Sequence, residues 1–265
     1  MTRLSPYSGP EEVQLLQRRR DAQVEELRDM PGAVVHARTF STDDPEALGW
    51  DRLREVMAEE GRVALRGATG AEVARAREVL AAFSPVEHVW DIFLAGADAV
   101  RAACRPILEG DAARGLTRLA AGDLTDARIR EVQEFLAGHG VSPFSRDALT
   151  GALFPAEMVV LTHADGRIAA AAFAAMTHNR HSRFHGVAWV GLVAVDPALR
   201  GRGLGKHVDA LANLVAVDDM GATGTMEFVA PDNLPSRAML EACGLRLLPD
   251  RRVVMFSTSG ERMTR

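Results

Sequence analysis

Apolar positions recur at helical spacing from Pro10 to Met30, where Val13, Leu16, Val24 and Leu27 sit among charged residues. This pattern predicts an amphipathic helix stopped by Pro31-Gly32. A second helical stretch runs from Pro45 to Glu60, with Leu48, Leu53, Val56 and Met57 on one face. The period then changes. Arg62-Val-Ala-Leu-Arg66 reads as a strand, Ala71 to Phe83 as a helix, Val86 to Leu94 as a strand and Ala97 to Leu108 as a helix. Such β-α-β-α alternation predicts a small α/β unit over roughly the first 115 residues. No chemical motif stands out in it.

The pattern continues in the second half. Leu116 to Leu119 reads as a short strand, and Asp123 or Thr125 is placed to cap a helix that runs to about Leu136. A short helix is expected between Ser145 and Leu153. Met158 to His163 and Arg167 to Met176 flank Ala164-Asp165-Gly166, a hairpin signal. The second arm is rich in alanine, which favours helix. An Asp-Gly turn directly after a β-branched run outweighs that modest propensity, so a strand is expected. Trp189 to Val195 is a strand ended by Asp196-Pro197, and Gly203 to about Met220 a helix stopped by Gly221. Thr223 to Ala230 is a strand, Leu234 to Cys243 a helix closed by Gly244, and Arg252 to Ser257 a last strand.

At 265 residues the chain is comfortable for two units. The expected division is 1–115, an α/β domain, and 116–265. A formal net charge of −5 argues against a general affinity for nucleic acid or anionic membrane. The two cysteines, Cys104 and Cys243, form no disulfide framework and fit a reducing compartment. The N-terminus lacks the apolar core of a signal peptide. The longest apolar run, Ile168 to Met176, is far short of the ~20 residues a membrane span needs. A cytoplasmic protein is therefore expected.

One segment carries chemistry. Gly191 to Lys206 (GLVAVDPALRGRGLGK) is a strand, a proline turn and a glycine-rich approach to a helix. The first amides of a helix have no internal partner and the dipole favours negative charge there. Glycines at 201, 203 and 205 let the backbone approach an anion, and Arg200, Arg202 and Lys206 surround the point with positive charge. A Walker A loop needs Gly where Arg200 stands and Ser or Thr where His207 stands; a dinucleotide fingerprint needs Gly where Lys206 stands. What remains is Arg-x-x-Gly-x-Gly, preceded by a Val-x-Val-Asp-Pro strand end. This resembles the central motif of the GNAT superfamily of N-acetyltransferases. Pro231-Asp-Asn233, followed by the helix that ends in Cys243-Gly244-Leu, is similar to that family's second motif. The resemblance covers about 116 to 257.

It implies a twisted mixed sheet flanked by helices, an α/β (α+β) fold, whose central strands splay around Val193 and Phe228. The pantetheine arm of acetyl-CoA would pair with Val193, Ala194 and Val195. The pyrophosphate would lie on Arg200, Gly201, Arg202, Gly203, Leu204 and Gly205, with Lys206 adjacent, and Asn233 would contact the cofactor. The implied activity is transfer of an acetyl group to a primary amine of a small molecule or peptide by direct attack. A non-catalytic acyl-CoA-binding module is the alternative. No metal is implied, and a homodimer is compatible with the resemblance. Tandem members exist in this superfamily, so 1–115 is compatible with a degenerate second copy. The nearest approach to the loop motif there, Arg66-Gly-Ala-Thr-Gly70, fails its spacing.

The catalytic residues depart from the family pattern. Leu240 stands where a proton-donating tyrosine is usual, and the only tyrosine is Tyr7. Glu227, the candidate base, lies six residues before Asn233 where five is common, and Phe228 holds the common position. A one-residue shift puts a strand side chain on the opposite face unless a bulge corrects it. Glu227 is therefore either the base or a charged residue on a solvent face. Freeing a lysine amine at pH 7 costs about 4.6 kcal/mol, against about 1–1.4 for an α-amine. A base thus matters most for a lysine-like acceptor. His178, His181 and His185, with Arg180 and Arg183, sit just before the 190s strand. They suit a metal on a helix, an acceptor-side role or a solvated loop, and the charge there hints at an acceptor with a carboxylate or phosphate. Cys243 is expected to pack, and Trp50, Trp90 and Trp189 to lie in the core or an interface.

Overall fold

The computed structural model describes residues 5–36 and 38–259, and its strands join in one sheet that runs through both halves of the chain. The first half contains α1 (Glu11–Asp29), β1 (Ala33–Val34), β2 (Ser41–Thr42), α2 (Pro45–Leu48) and α3 (Trp50–Glu60). It continues with β3 (Arg62–Ala68), α4 (Gly70–Leu80), β4 (Val86–Gly96) and α5 (Ala97–Leu108). The second half contains β5 (Thr117–Arg118), α6 (Asp126–Gly138), α7 (Arg146–Leu149), β6 (Ala156–Thr162), β7 (Ile168–Ala175) and β8 (Val187–Val195). It ends with α8 (Leu204–Leu214), β9 (Gly224–Val229), α9 (Leu234–Ala242) and β10 (Arg246–Ser257). The spatial order is β1-β2-β3-β10-β4-β9-β8-β7-β6-β5. This mixed sheet with helices on its faces is the fold class that the motifs implied.

Local chemistry accounts for most element ends. Thr69 and Glu72 form a reciprocal capping box at the start of α4. Thr125 rather than Asp123 caps α6, through the Arg128 amide. The helix expected over Pro45 to Glu60 is divided at Gly49, whose φ of 93° lies in the left-handed region. The helix from Leu204 loosens into a π-helical stretch over Val215–Asp219. The alanine-rich arm is a strand: β7 pairs with β6 from Ala156↔Ala175 to Thr162↔Ile168. Alanine there lets α8 come close, since Ala170, Ala172 and Ala174 pack in one cluster with Ala210 and Ala212.

The last strand binds the halves together. β10 is antiparallel both to β3 and to β4, with Val254 opposite Leu65 on one side and Val89 on the other. It begins at Arg246, earlier than the expected Arg252, and bulges between Leu247 and Arg252. Thus β3-α4-β4 and β8-α8-β9 are both strand-helix-strand units, but in the first β10 fills the space between the strands. No open main-chain edge remains there, so the first half offers no cofactor slot, while its strand-helix-strand unit stays compatible with a degenerate second copy.

α1 also crosses between halves. Buried Gln17 donates to the Pro143 carbonyl at 2.8 Å and to that of Ser8 at 3.1 Å. Arg20 and Glu60 form an ion pair with almost no exposure of either side chain. Asn179, before β8, donates to the Met30 carbonyl at 2.8 Å and to that of Ala33 at 3.0 Å.

Phe256 is fully buried on β10. We expect Phe256→Ala to cost about 3–5 kcal/mol by leaving a cavity in the core. Because β10 belongs to both halves, urea denaturation followed by tryptophan fluorescence and by far-UV dichroism should give one coincident, shifted transition. Two separate transitions would contradict this coupling.

Candidate active site

β8 and β9 begin as a parallel pair and then come apart. They share only Val187↔Gly224, Ala188↔Thr225 and Trp189↔Met226. Beyond that point β8 stays on β7 and β9 stays on β4. The divergence coincides with a bulge. Between Ala171↔Ala194 and Phe173↔Gly191, β8 uses one residue more than β7, and Leu192 takes a φ of 53°. A branched side chain in that region costs of order 1 kcal/mol, so the surrounding ladder must hold it there. Gly191 is required for a different reason. A Cβ on it would fall 2.5 Å from Cζ2 of Trp189, whose indole lies along the strand.

The splay opens into a cavity of about 220 Å³ that passes between the strands. On one side lie Val193 of β8 and Asn233, Ser236, Met239 and Leu240 around the start of α9. Asn233 caps that helix, its Oδ1 accepting from the Ser236 amide at 3.2 Å. The strand then leads to the loop. Asp196 accepts from the Ala198 amide at 2.9 Å, and Gly201 and Gly203 take φ of 75° and 81°. Gly203 is the N-cap of α8 and offers no side chain to its first turn, in contrast to the boxed start of α4. Arg200, Arg202 and Lys206 are exposed around this start and form no ion pair among the described residues. A Cβ on Gly205 would contact Val195 at 3.7 Å and Met239 at 3.8 Å, so this glycine widens the passage between β8 and α9.

The other side of the cavity is built largely by the first half. His36, Arg38 and Thr39 from the segment after β1, Ala64 and Arg66 from β3, Trp90 from β4 and Val141 line it. The guanidinium carbon of Arg66 lies 5.1 Å from the Phe228 ring and 6.0 Å from that of Trp189, although three strand steps separate β3 from β9. The sheet is therefore curled around the space. Arg66 Nε donates to Ser41 Oγ at 3.2 Å, and Arg38 donates to the Ser142 carbonyl at 2.6 Å. Burial lowers both guanidinium pKa values to about 9, with Arg38 adding to the effect on Arg66. His36 is pushed well below its usual range by burial, then by Arg66, Arg38 and Arg20. These three residues carry no sequence motif. The one available signal was Arg66, a charge in a strand whose every position is buried.

Glu227 is neither on a solvent face nor on the face of Phe228. It is buried and faces α8, where its Oε1 accepts from Asn213 Nδ2 at 2.9 Å. Burial first, then the nearby Asp209, raises its pKa well above the carboxylate range. Asp209, also fully buried, is raised to about 6 by burial. Two carboxyls this close and this buried each resist ionisation of the other. Cys243 packs beside it, with its thiol pKa raised by Cys104 and by burial.

The histidines do not converge. His178 is buried, with Nδ1 3.0 Å from Asp43 Oδ2, whereas His181 and His185 are exposed in the β7–β8 connection. Arg180 pairs with Asp29 and Arg183 lies 3.7 Å from Glu72. Leu240 is buried and lines the cavity; Tyr7 lies under Arg18 of α1, outside it.

A strand pair that separates at a bulge and leads into a glycine-bounded helix start matches a known family in sequence. Residues 130–245 match the acetyltransferase (GNAT) family. This stretch is a GNAT-family domain. No curated protein matches the chain by sequence. The fold is similar to that of a Drosophila protein, with a TM-score of 0.59 and 15% identity over 93% of this chain and 89% of that one. It is also similar to a GCN5-related N-acetyltransferase from Kribbella flavida, with a TM-score of 0.56 and 17% identity over 93% and 96%. Both likenesses extend well beyond the GNAT domain into the first half. No helix among the described residues is long and apolar enough to cross a membrane.

The buried acid pair has a stability consequence. A carboxyl near 3.9 when unfolded and about 6 when folded contributes stability below pH ~4 that is lost as pH rises through 6. Asp209→Asn removes the group that must ionise. In urea titrations it should be more stable than the parent by on the order of 2–3 kcal/mol at pH 8 and equal to it at pH 4. An equal difference at both pH values would contradict the assignment.

Proposed function

We propose that this chain is an acyl-CoA-dependent N-acyltransferase that moves an acetyl group from acetyl-CoA to a primary amine. The observation that carries the reading is continuity: the open edge of β8 runs directly into a helix start that lacks a side-chain cap. An extended amide chain suits the edge and a diphosphate suits the helix start. In this reading residues 116–265 are the acyl-CoA half. Val193, Ala194 and Val195 pair with the pantetheine, the stretch from Arg200 to Gly205 with Lys206 holds the pyrophosphate, and Asn233 borders the arm. Residues 1–115 form the unit that supplies the acceptor side.

The amine nitrogen attacks the thioester carbonyl, the carbon–sulfur bond breaks, the sulfur leaves as thiolate, and the nitrogen gives up a proton to water or to that thiolate. A main-chain amide near the bulge at Leu192 donates to the developing oxyanion. The thiolate of an ordinary thiol lies only about 2 kcal/mol above its protonated form at pH 7, so water suffices where Leu240 offers no proton. Glu227 is a poor base because it faces α8, where its Oε1 is taken by Asn213. We assign it to the support of β9 against α8. The amine must arrive neutral or lose its proton to water.

A non-catalytic acyl-CoA-binding module is the second reading, favoured by Leu240 in the cavity wall and by Glu227 being turned to Asn213 on α8. Calorimetry with acetyl-CoA should give saturable heat, and Gly205→Leu, whose side chain enters the passage beside Val195 and Met239, should weaken binding at least tenfold with an unchanged dichroism spectrum. Absence of heat with coenzyme A and acetyl-CoA would defeat both readings. Release of free CoA thiol with an amine separates the enzyme from the binding module.

A further inference from the structure

Arg38 and Arg66 both line the cavity, are 5% and 7% exposed, and form no ion pair among the described residues. Burying a charge without a counter-charge is among the most costly arrangements a fold can hold. Guanidinium groups stay charged at neutral pH even when burial lowers their pKa to about 9. Their neutral partners do not use all their donors. Arg38 Nε and Arg66 Nη1 are buried without a hydrogen-bond partner, and so is Trp189 Nε1 in the same wall. Phe144 lies 4.8 Å from the Arg38 guanidinium carbon and Phe228 5.1 Å from that of Arg66. These contacts orient the groups but leave the charge uncompensated.

His36 extends the pattern. Its Nδ1 faces the Arg38 amide at 3.4 Å and the Thr39 amide at 3.5 Å as an acceptor. The proton of the neutral ring then sits on Nε2, which makes this edge a donor too. The one carboxyl in the cavity lining, Glu227, is turned to Asn213 on the other face of β9. The acceptor side is thus a small chamber of cationic and neutral donors that lacks an anion.

Building on the transfer reading, we propose that the acceptor is a small amine that also carries an oxyanion group, and that Arg38 and Arg66 bind this group. Carboxylate and phosphonate share the chemistry that a guanidinium recognises, with paired oxygens that accept from fixed N–H donors. The amine would extend from the arginines past Trp189 and Phe228 toward the splayed strands, where the thioester lies in the proposed function. The segment 36–39 and β3 are then specificity elements, which gives the first half a direct part in choosing the substrate.

The test uses the full chain, acetyl-CoA and matched acceptors, with free CoA thiol as readout. Glycine, β-alanine and aminomethylphosphonate are compared with glycinamide and ethylamine. We expect at least one anionic acceptor to exceed its neutral counterparts in kcat/KM by a hundredfold or more, and the carboxylate and phosphonate arms to identify the group. Arg38→Gln and Arg66→Gln should each reduce that preference at least tenfold, mainly through KM, with the Kd of acetyl-CoA unchanged. Arg66→Lys, which keeps the charge and loses the fork, should recover part of it and serves if a glutamine variant does not fold. Where turnover is silent, an anionic amine should raise the melting temperature of the acetyl-CoA complex in the parent and not in Arg66→Gln. Neutral amines accepted as well as anionic ones, a preference untouched by all three variants, or no melting shift with any anionic amine would overturn the inference while acetyl-CoA binding stood. Failure to bind acetyl-CoA would instead sink the transfer reading, and this inference with it.

Discussion

Everything in this fold turns on a parallel strand pair that must separate after three residues and stay separated. Strand edges carry unpaired amides and carbonyls that tend to find partners, so an open slot inside a sheet is not a default state. Here both sides of the slot are anchored elsewhere. β8 continues on β7 past its bulge, and β9 is paired with β4 along its length. The left-handed conformation of Leu192 turns β8 at the point where the pairing with β9 ends. Closing the slot would require straightening β8 at the bulge that its pairing with β7 holds, and that keeps the cavity open.

The first half shows what the same strand-helix-strand unit becomes without those anchors. Between β3 and β4 the space is filled by β10, and the start of α4 is satisfied by Thr69 and Glu72 of its own chain. Between β8 and β9 the space is open, and the start of α8 has glycines in place of a cap. One unit is sealed by protein and the other stays open. The sealed unit still acts on the open one. Because β10 joins β3 to β4 and the sheet curls, Arg66 of β3 reaches the ring of Phe228 on β9.

How much of this was legible follows from what each feature depends on. Helix and strand periods, the Asp-Gly turn before the alanine-rich β7 and the glycine-bounded loop after Val195 are local, and the sequence displayed them. The division of the helix at Gly49, the early start of β10 at Arg246 and the short β1 and β2 depend on packing against distant segments. The acceptor wall is the extreme case. His36, Arg38 and Arg66 come from two segments without a motif and meet residues more than a hundred positions away, at Ser142 and Phe228. Glu227 was legible as displaced from the usual register. That its new face is a buried acidic pair with Asp209, and not solvent, depends on how α8 crosses the sheet.

The two arginines and the missing base belong to one electrostatic argument. In the proposed reaction Glu227 does not serve as base, so the acceptor must be presented as a free amine in another way. A unit positive charge about 6 Å from an ammonium, at an effective dielectric of about 20, disfavours the protonated form by about 2.8 kcal/mol, or about two pKa units. Two guanidinium charges less one bound carboxylate leave one such charge in the chamber. An amine near 8 would then fall to about 6 and be mostly free at neutral pH, whereas a lysine-like amine near 10.4 would still be mostly protonated. His36 reports the same field, since Arg66, Arg38 and Arg20 all act with burial to discharge it. In the proposed reaction the potential of the chamber would take the part that a general base takes by position, and only for amines that begin near neutrality. Under the proposed transfer, that field favours an acceptor whose amine starts near 8 over a lysine-like one near 10.4.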